Sequence, residues 1–267
     1  MGLCEPFTNP AIYRMLPWLE GHGYSTAVTT NGTIPFKDFA ALSCAGELMF
    51  SIDTIDPKIF AEVRGGASID AVLANLESVI EWKHKNNSQK PPVRINGVIS
   101  EKTIAQLPAM FDYFDAYAND IDFIQFDVVS RPDYSPSDPV CLKHSKEFAA
   151  KLGALSIEAA KHKIKVLNCT QVNSNNLERG KPMSFMLEEA TNWRSCPLSW
   201  YSMFVEPNGD AYFCYNYGYV LGNVFTESPL KVWNSAKARA FRKQLQTNEP
   251  PVKQCKICNF ARLGNSR

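Results

Sequence analysis

Two rhythms of apolar residues alternate along the first 170 positions of the chain. Short runs rich in β-branched and aromatic residues stand at 25–29, 48–53, 93–99, 121–126 and 164–168, each of strand length. Between them apolar side chains return every three or four positions, the repeat of a helix with one buried face. At 69–84 the stripe comprises Ile69, Val72, Leu73, Leu76, Val79 and Ile80. Similar patterns occupy 10–21, with Ile12, Met15, Leu16 and Leu19, and 36–42, 103–114 and 144–161. Asp56-Pro57 has the form of an N-cap followed by the first residue of a helix. Strands alternating with helices over short connections predict βαβ units and a parallel sheet. The repeat count fits a barrel of such units or part of one. Parallel sheets carry their working loops at the C-terminal ends of the strands. That singles out Glu5, Asn31, Ser51, Asp53, Asn96, Asp127 and Gln171.

Beyond residue 170 the alternation stops. A Pro-, Ser- and Asp-rich stretch at 131–139 reads as a long loop, and 171–194, with Asn173, Ser174, Asn175 and Asn176 in a run, reads as a linker. Residues 203–206 and 211–214 flank Pro207-Asn208-Gly209-Asp210, the strand–turn–strand signal of a β-hairpin. A helical pattern follows at 229–245. The predicted organisation is an α/β body over 1–170, a linker over 171–194 and a small second domain over 195–267.

Composition narrows the function classes. The 267 residues are 45% hydrophobic and 21% charged, as in ordinary globular proteins. A net charge of +1 supplies no bulk attraction to nucleic acid or an anionic membrane, so neither is expected as a partner. The first residues lack the basic and apolar regions of a secretory signal, which points to a cytoplasmic, reducing compartment. In such a compartment the eight cysteines suggest metal ligands and buried thiols rather than disulfides. Cys44, Cys141 and Cys169 stand alone and read as small buried apolar residues. His22, His84, His144 and His162 show no metal-ligand spacing. Lys231, Lys237, Arg239, Arg242 and Lys243 read as the solvated face of a helix.

Four cysteines crowd the C-terminal region: Cys196, Cys214, Cys255 and Cys258. The Cys255-Lys256-Ile257-Cys258 turn brings two soft thiolate ligands together. The hairpin presents Cys214 at its end, with Cys196 arriving from the approach to the first strand. Such a set holds an iron–sulfur cluster or a structural zinc ion, and spacing alone leaves both open.

The pattern Cys196-x12-Gly209-x4-Cys214, then Leu221-Gly222-Asn223-Val224, Val232-Trp233-Asn234-Ser235, Phe241-Arg242 and Cys255-x2-Cys258 resembles the SPASM/twitch auxiliary-cluster domain of radical SAM enzymes. The body shows the matching upstream order. Gly2-Leu3-Cys4-Glu5-Pro6 resembles the GGE-type motif after the second barrel strand, and Thr30-Asn31-Gly32 the turn after the third. Ser51-Ile52-Asp53, followed by Val63-Arg64-Gly65-Gly66, resembles the fourth strand and its helix. Asn96-Gly97-Val98-Ile99 falls where the fifth strand contacts adenosine.

The resemblance implies a partial TIM-like radical SAM barrel lacking its first strand, carrying a small SPASM/twitch domain of β-hairpin and helix. It also implies two cofactors, S-adenosylmethionine and an auxiliary [4Fe–4S] cluster held by Cys196, Cys214, Cys255 and Cys258. Glu5 would accept hydrogen bonds from the methionine amino group, with Asn31 in the neighbouring turn. Ser51 and Asp53 would face the ribose or amino-acid end. Arg64 would pair with the carboxylate, and Val98 and Ile99 would flank the adenine. The implied activity is cleavage of S-adenosylmethionine to a 5′-deoxyadenosyl radical, used to modify a peptide or small-molecule substrate with electrons from a donor protein. The sequence also departs from the family: Cys4 replaces the glycine before Glu5, and only four of the usual SPASM cysteines are present. No CxxxCxxC, the motif that binds the catalytic cluster, occurs in these 267 residues. The chain begins where the second strand of such a barrel would be ending, so the expectation is an N-terminally truncated barrel. The alternative is a catalytically inactive iron–sulfur or zinc protein, or a partner subunit. No catalytic acid or base is evident.

Overall fold

The structure, a computed structural model, describes residues 4–128, 146–167, 194, 196–214, 218–253 and 255. They fall into two compact units. The loop expected at 131–139, the linker, Gln171, Cys141, Cys169 and Cys258 lie outside the described residues, as does the side chain of Asp127.

The larger unit begins with a short 3₁₀ turn, Pro6–Thr8. It continues through α1 (Ile12–Gly21), β1 (Ala27–Thr30), α2 (Phe39–Leu42), β2 (Glu47–Ser51), α3 (Pro57–Val63) and α4 (Ile69–Lys85). Then come β3 (Val93–Ile99), α5 (Leu107–Phe114), β4 (Phe123–Val128), α6 (Lys146–Ala159) and β5 (Val166–Leu167). All five strands are parallel and lie in chain order, β1-β2-β3-β4-β5. A doubly wound sheet reverses its order part-way; unbroken sequential order is the arrangement of a barrel wall. Right-handed crossovers then put every helix on one face, as in the predicted partial TIM-like barrel.

Burial along β3 shows the two faces. Val93, Ile95, Gly97 and Ile99 are buried, whereas Arg94, Asn96 and Val98 are not. The buried set packs into the helix-side core with Leu48, Phe50, Leu76, Phe111, Phe114 and Phe126. Most of the predicted stripe of α4 is buried there, with Leu73 only partly covered. Each such side chain stabilises the fold by about 2 kcal/mol relative to exposure. The Asp56 cap is as expected: its carboxylate accepts from the Ile59 amide at 2.8 Å, with Pro57 opening α3.

Met15 departs from expectation. It was placed on the buried stripe of α1 but is 53% exposed. The contact of α1 with the core is narrow, made by Ile12 and Leu16, and Met15 falls to its side.

In the smaller unit α7 (Leu198–Tyr201) precedes β6 (Phe204–Val205), β7 (Asp210–Tyr212) and β8 (Gly222–Asn223). The strands form an antiparallel meander with Val205 opposite Ala211 and Ala211 opposite Gly222. The hairpin turn is where the Asn208-Gly209 signal put it. Gly209 has φ +86, and an added Cβ would come within 2.7 Å of Asn223 Oδ1, so only glycine fits without strain. The third strand was not foreseen, because two residues are too few to show an alternation.

The single helix predicted over 229–245 is two, α8 (Pro229–Trp233) and α9 (Ala236–Gln244). Ser235 divides them by accepting from the Ala238 amide at 3.1 Å as the N-cap of α9, a stronger local preference than continuing the helix. Ala211, Phe213, Leu221, Val232, Ala238, Phe241 and Leu245 form the core of this unit. Among the described residues no helix is long and apolar enough to cross a membrane.

Candidate functional site

The predicted residues of the larger unit gather at the C-terminal edge of its sheet. Glu5 precedes the first 3₁₀ turn and reaches across to the end of β1. Its Oε1 accepts from the Thr30 hydroxyl at 2.8 Å and the Phe7 amide at 3.2 Å, and its Oε2 accepts from the Asn31 amide at 2.7 Å. A carboxylate offers about four lone-pair positions, so one on Oε2 remains open beside the turn. Gly32, with φ +71, completes that turn, and Asn75 of α4 donates to its carbonyl at 2.7 Å. Asn75 is a buried polar residue inside the apolar stripe of α4, a signal that the periodicity alone passed over.

A second station joins β2, α3 and β3. Arg64, at the end of α3, meets Asp53 side-on: Nε donates to Oδ2 at 2.6 Å and Nη2 to Oδ1 at 2.7 Å. Asp53 Oδ1 also accepts from the Val98 amide at 2.7 Å. The two residues, each expected to face the cofactor, bind each other. Asp53 is 5% exposed and Arg64 has 26% of its side chain exposed. Ser51 ends β2 opposite Asn96. Val98 and Ile99 were assigned together, but strand alternation separates them. Val98 is 37% exposed, and Ile99 is 1% exposed in the helix-side core. The Ile99 side chain therefore does not share the face of Val98.

Deeper on the same face is a polar layer that sequence reasoning missed except for Asn96. Arg94 pairs with Glu47 at 2.9 Å, donates to Met49 Sδ and lies 5.3 Å from the Phe123 ring centroid. Arg94 Nε and Asn96 Oδ1 are buried without a partner among the described residues. The available signal was the alternation Val93-Arg94-Ile95-Asn96, since polar residues at every second position of a central parallel strand imply a polar inner face.

In the smaller unit Cys196 lies just before α7, Cys214 just after β7, and Cys255 near the end of the described chain. All three are half-buried, and Cys196 packs against the core of this unit. Among the described residues no three His, Cys, Asp or Glu side chains converge as a metal site. Cys258, the partner of Cys255 in the CxxC turn, lies outside them.

Arg242 corrects the solvated-face reading of its helix. Lys231, Lys237, Arg239 and Lys243 are exposed. Arg242, four residues after buried Ala238, turns inward instead. Its guanidinium carbon lies 4.6 Å from the Phe213 ring centroid, 4.5 Å from Trp233 and 5.5 Å from Trp200. Nε donates to the Ser199 carbonyl at 2.9 Å and Nη1 to the Trp233 carbonyl at 3.0 Å. Burial lowers its pKa, but a guanidinium stays charged at neutral pH.

Residues 196–259 match the SPASM family, an iron-sulfur cluster-binding domain. Curated relatives include a probable GTP 3′,8-cyclase of Methanococcus maripaludis strain C7, 30% identical over 102 residues, 38% of this chain and 32% of the relative. The strain C6 protein of the same description is 28% identical over 127 residues, 47% of this chain and 40% of the relative. The chain thus spans 32% to 40% of the length of these two relatives. Among solved structures, Streptococcus suis SuiB bound to S-adenosylmethionine aligns with a TM-score of 0.60 at 17% identity, covering 95% of this chain and 58% of that one. The tagged anSMEcpe with bound AdoMet aligns at 0.59 and 20% identity, covering 97% and 68%. At these identities the likeness shows the shared fold.

Proposed function

We propose that the larger unit binds S-adenosylmethionine along the C-terminal edge of its sheet. The smaller unit would hold an auxiliary [4Fe–4S] cluster through Cys196, Cys214, Cys255 and Cys258, with the domain boundary in 171–194. The observation that carries this reading is the pairing of two polar stations on one sheet edge, Glu5 with Thr30 and Asn31, and Asp53 with Arg64 and Val98. Glu5 Oε2 keeps an acceptor position for an ammonium group. The Asp53 pairing uses the Nε/Nη2 edge of Arg64, so the Nη1 edge can take a carboxylate. Ser51 and Asn31 supply hydroxyl and amide groups nearby, and Val98 supplies an exposed apolar surface for a base. When bound with a reducing cluster, S-adenosylmethionine supplies radical chemistry.

A peptide substrate, an electron-donor protein and a cytoplasmic location belong to the same proposal. Solved relatives carry bound peptides: SuiB its precursor peptide SuiA, and anSMEcpe the peptide Kp18Cys. A second reading has the chain bind cofactor and cluster without cleaving the cofactor. Deoxyadenosine formation under reducing conditions separates the two.

Anaerobic calorimetry with S-adenosylmethionine tests the edge. Binding by the wild type, weakened roughly tenfold by Glu5→Gln through loss of one charge-assisted contact, is expected. No detectable binding by well-folded wild type overturns the assignment. Iron, sulfide and zinc analysis tests the cluster. Brown protein with matching iron and sulfide, lost in Cys255→Ala and Cys258→Ala, is expected; colourless protein with one zinc per chain overturns it.

A further inference from the structure

Two hydrogen-bond donors of the smaller unit are buried without a partner among the described residues: Ser199 Oγ and Arg242 Nη2. They adjoin, since Arg242 Nε donates to the Ser199 carbonyl at 2.9 Å. Ser199 is fully buried. A buried donor without an acceptor carries its whole desolvation cost, and folded proteins rarely tolerate one. Two on residues in contact, one of them a cation, mark a place where an anionic acceptor belongs.

Their position identifies the acceptor. Ser199 lies three residues beyond Cys196, at the start of α7. The Arg242 guanidinium rests against Phe213, the residue before Cys214. Cys196 packs on the core that contains Phe213. Ser199 thus follows closely on Cys196 in the chain, and Arg242 contacts the residue before Cys214. Trp200 and Trp233 also lie against the guanidinium.

Building on the reading of Cys196, Cys214, Cys255 and Cys258 as cluster ligands, we infer that Ser199 and Arg242 tune that cluster. Their free hydrogens donate to its sulfur atoms, and the guanidinium charge makes it easier to reduce. A cluster held by four thiolates is anionic and becomes more so on reduction. Hydrogen bonds to sulfur and a nearby positive charge both favour the reduced state. Neither residue touches substrate, so both are positioning residues. A role confined to packing would alter folding or cluster loading but leave the potential of the loaded cluster unchanged.

The test is an anaerobic redox titration of the full chain, followed by the EPR signal of the reduced cluster, after iron and sulfide analysis. Arg242→Gln, fully loaded, is expected to lower the midpoint so that the reduced-to-oxidised ratio at fixed potential falls about tenfold, or about 59 mV for one electron. Ser199→Ala is expected to shift it in the same direction by about threefold, the effect of one neutral hydrogen bond. Arg242→Lys, which keeps the charge, is expected to fall between Arg242→Gln and wild type. Wild-type midpoints in loaded Arg242→Gln and Ser199→Ala overturn the inference. If Arg242→Gln does not fold, wild type labelled with guanidino-¹⁵N arginine decides. A weak ¹⁵N coupling in the modulation of the reduced-cluster EPR signal is expected, and its absence overturns the inference. Protein that carries zinc, or no metal, fails at the metal analysis. That outcome sinks the cluster reading itself and is distinct from an unshifted potential in a loaded cluster.

Discussion

Replacing Asp53 by alanine should destabilise the larger unit by about 3 kcal/mol, because it leaves donors from two elements without their shared acceptor. The estimate follows from the contacts. Asp53 accepts three hydrogen bonds, two from Arg64 at 2.6 and 2.7 Å and one from the Val98 amide at 2.7 Å. Truncating one member of a fully buried ion pair costs roughly 3–5 kcal/mol. Arg64 is 26% exposed and can turn partly to water, so its share must be discounted. The Val98 amide is fixed in β3 and has no such freedom. Loss of its acceptor adds about 1 kcal/mol. For a unit of this size the total corresponds to a fall in Tm of roughly 6–12 °C. Urea denaturation measures the change directly, as a lower midpoint with an unchanged slope. A double-mutant cycle with Arg64→Met should give a coupling above about 1 kcal/mol, since the two side chains form one network. A cost for Asp53→Ala below about 0.5 kcal/mol, the range of ordinary surface substitutions, would refute the reasoning.

Gly209→Ala should cost about 1–2 kcal/mol in the smaller unit, from a left-handed backbone and a Cβ crowding Asn223 and the Phe225 ring, and is read by the same denaturation. Asp115 gives the pH prediction. The Ile164 amide, then His162, holds its pKa below the ordinary carboxylate value. A carboxylate whose folded pKa is depressed stabilises the fold above its unfolded pKa and loses that contribution as pH falls through the folded value. Stability should therefore be steady above about pH 5 and decline from about pH 4 downward. Asp115→Asn should be less stable at neutral pH and flatter across that acid window in pH-dependent urea melts.

Much of the larger unit was legible because its elements carry strong periodic signals. The stripe from Ile69 to Ile80 lies within a helix of seventeen residues, and no other local structure buries it. Strand β3 was read at its observed bounds because Val93 and Ile99 close a β-rich stretch flanked by proline and by polar residues. Short elements were less legible. The two residues of β8 take their strand conformation from pairing with β7, a tertiary effect with no local trace. The break between α8 and α9 was available in Asn234-Ser235, yet the helical period on either side of it concealed the cap. Arg242 was misplaced for another reason. Charge argues for solvent, and only the spacing from Ala238 and Phe241 shows that position 242 faces the core.

At the sheet edge the chain's own bonds and the proposed ligand contacts use the same groups. Glu5 fixes the first segment to the end of β1, and Asp53 with Arg64 fixes α3 to β2 and β3. If these residues served a ligand alone, their charges would stand buried and unpaired without it, at several kcal/mol each. Here the chain's donors satisfy the buried part of each group and leave one direction open, an Oε2 lone pair of Glu5 and the Nη1 edge of Arg64. A cofactor bearing an ammonium and a carboxylate can then add to both stations without displacing the bonds that hold the edge together. Binding would therefore require little rearrangement of the sheet, and the carboxylates would be preorganised for it.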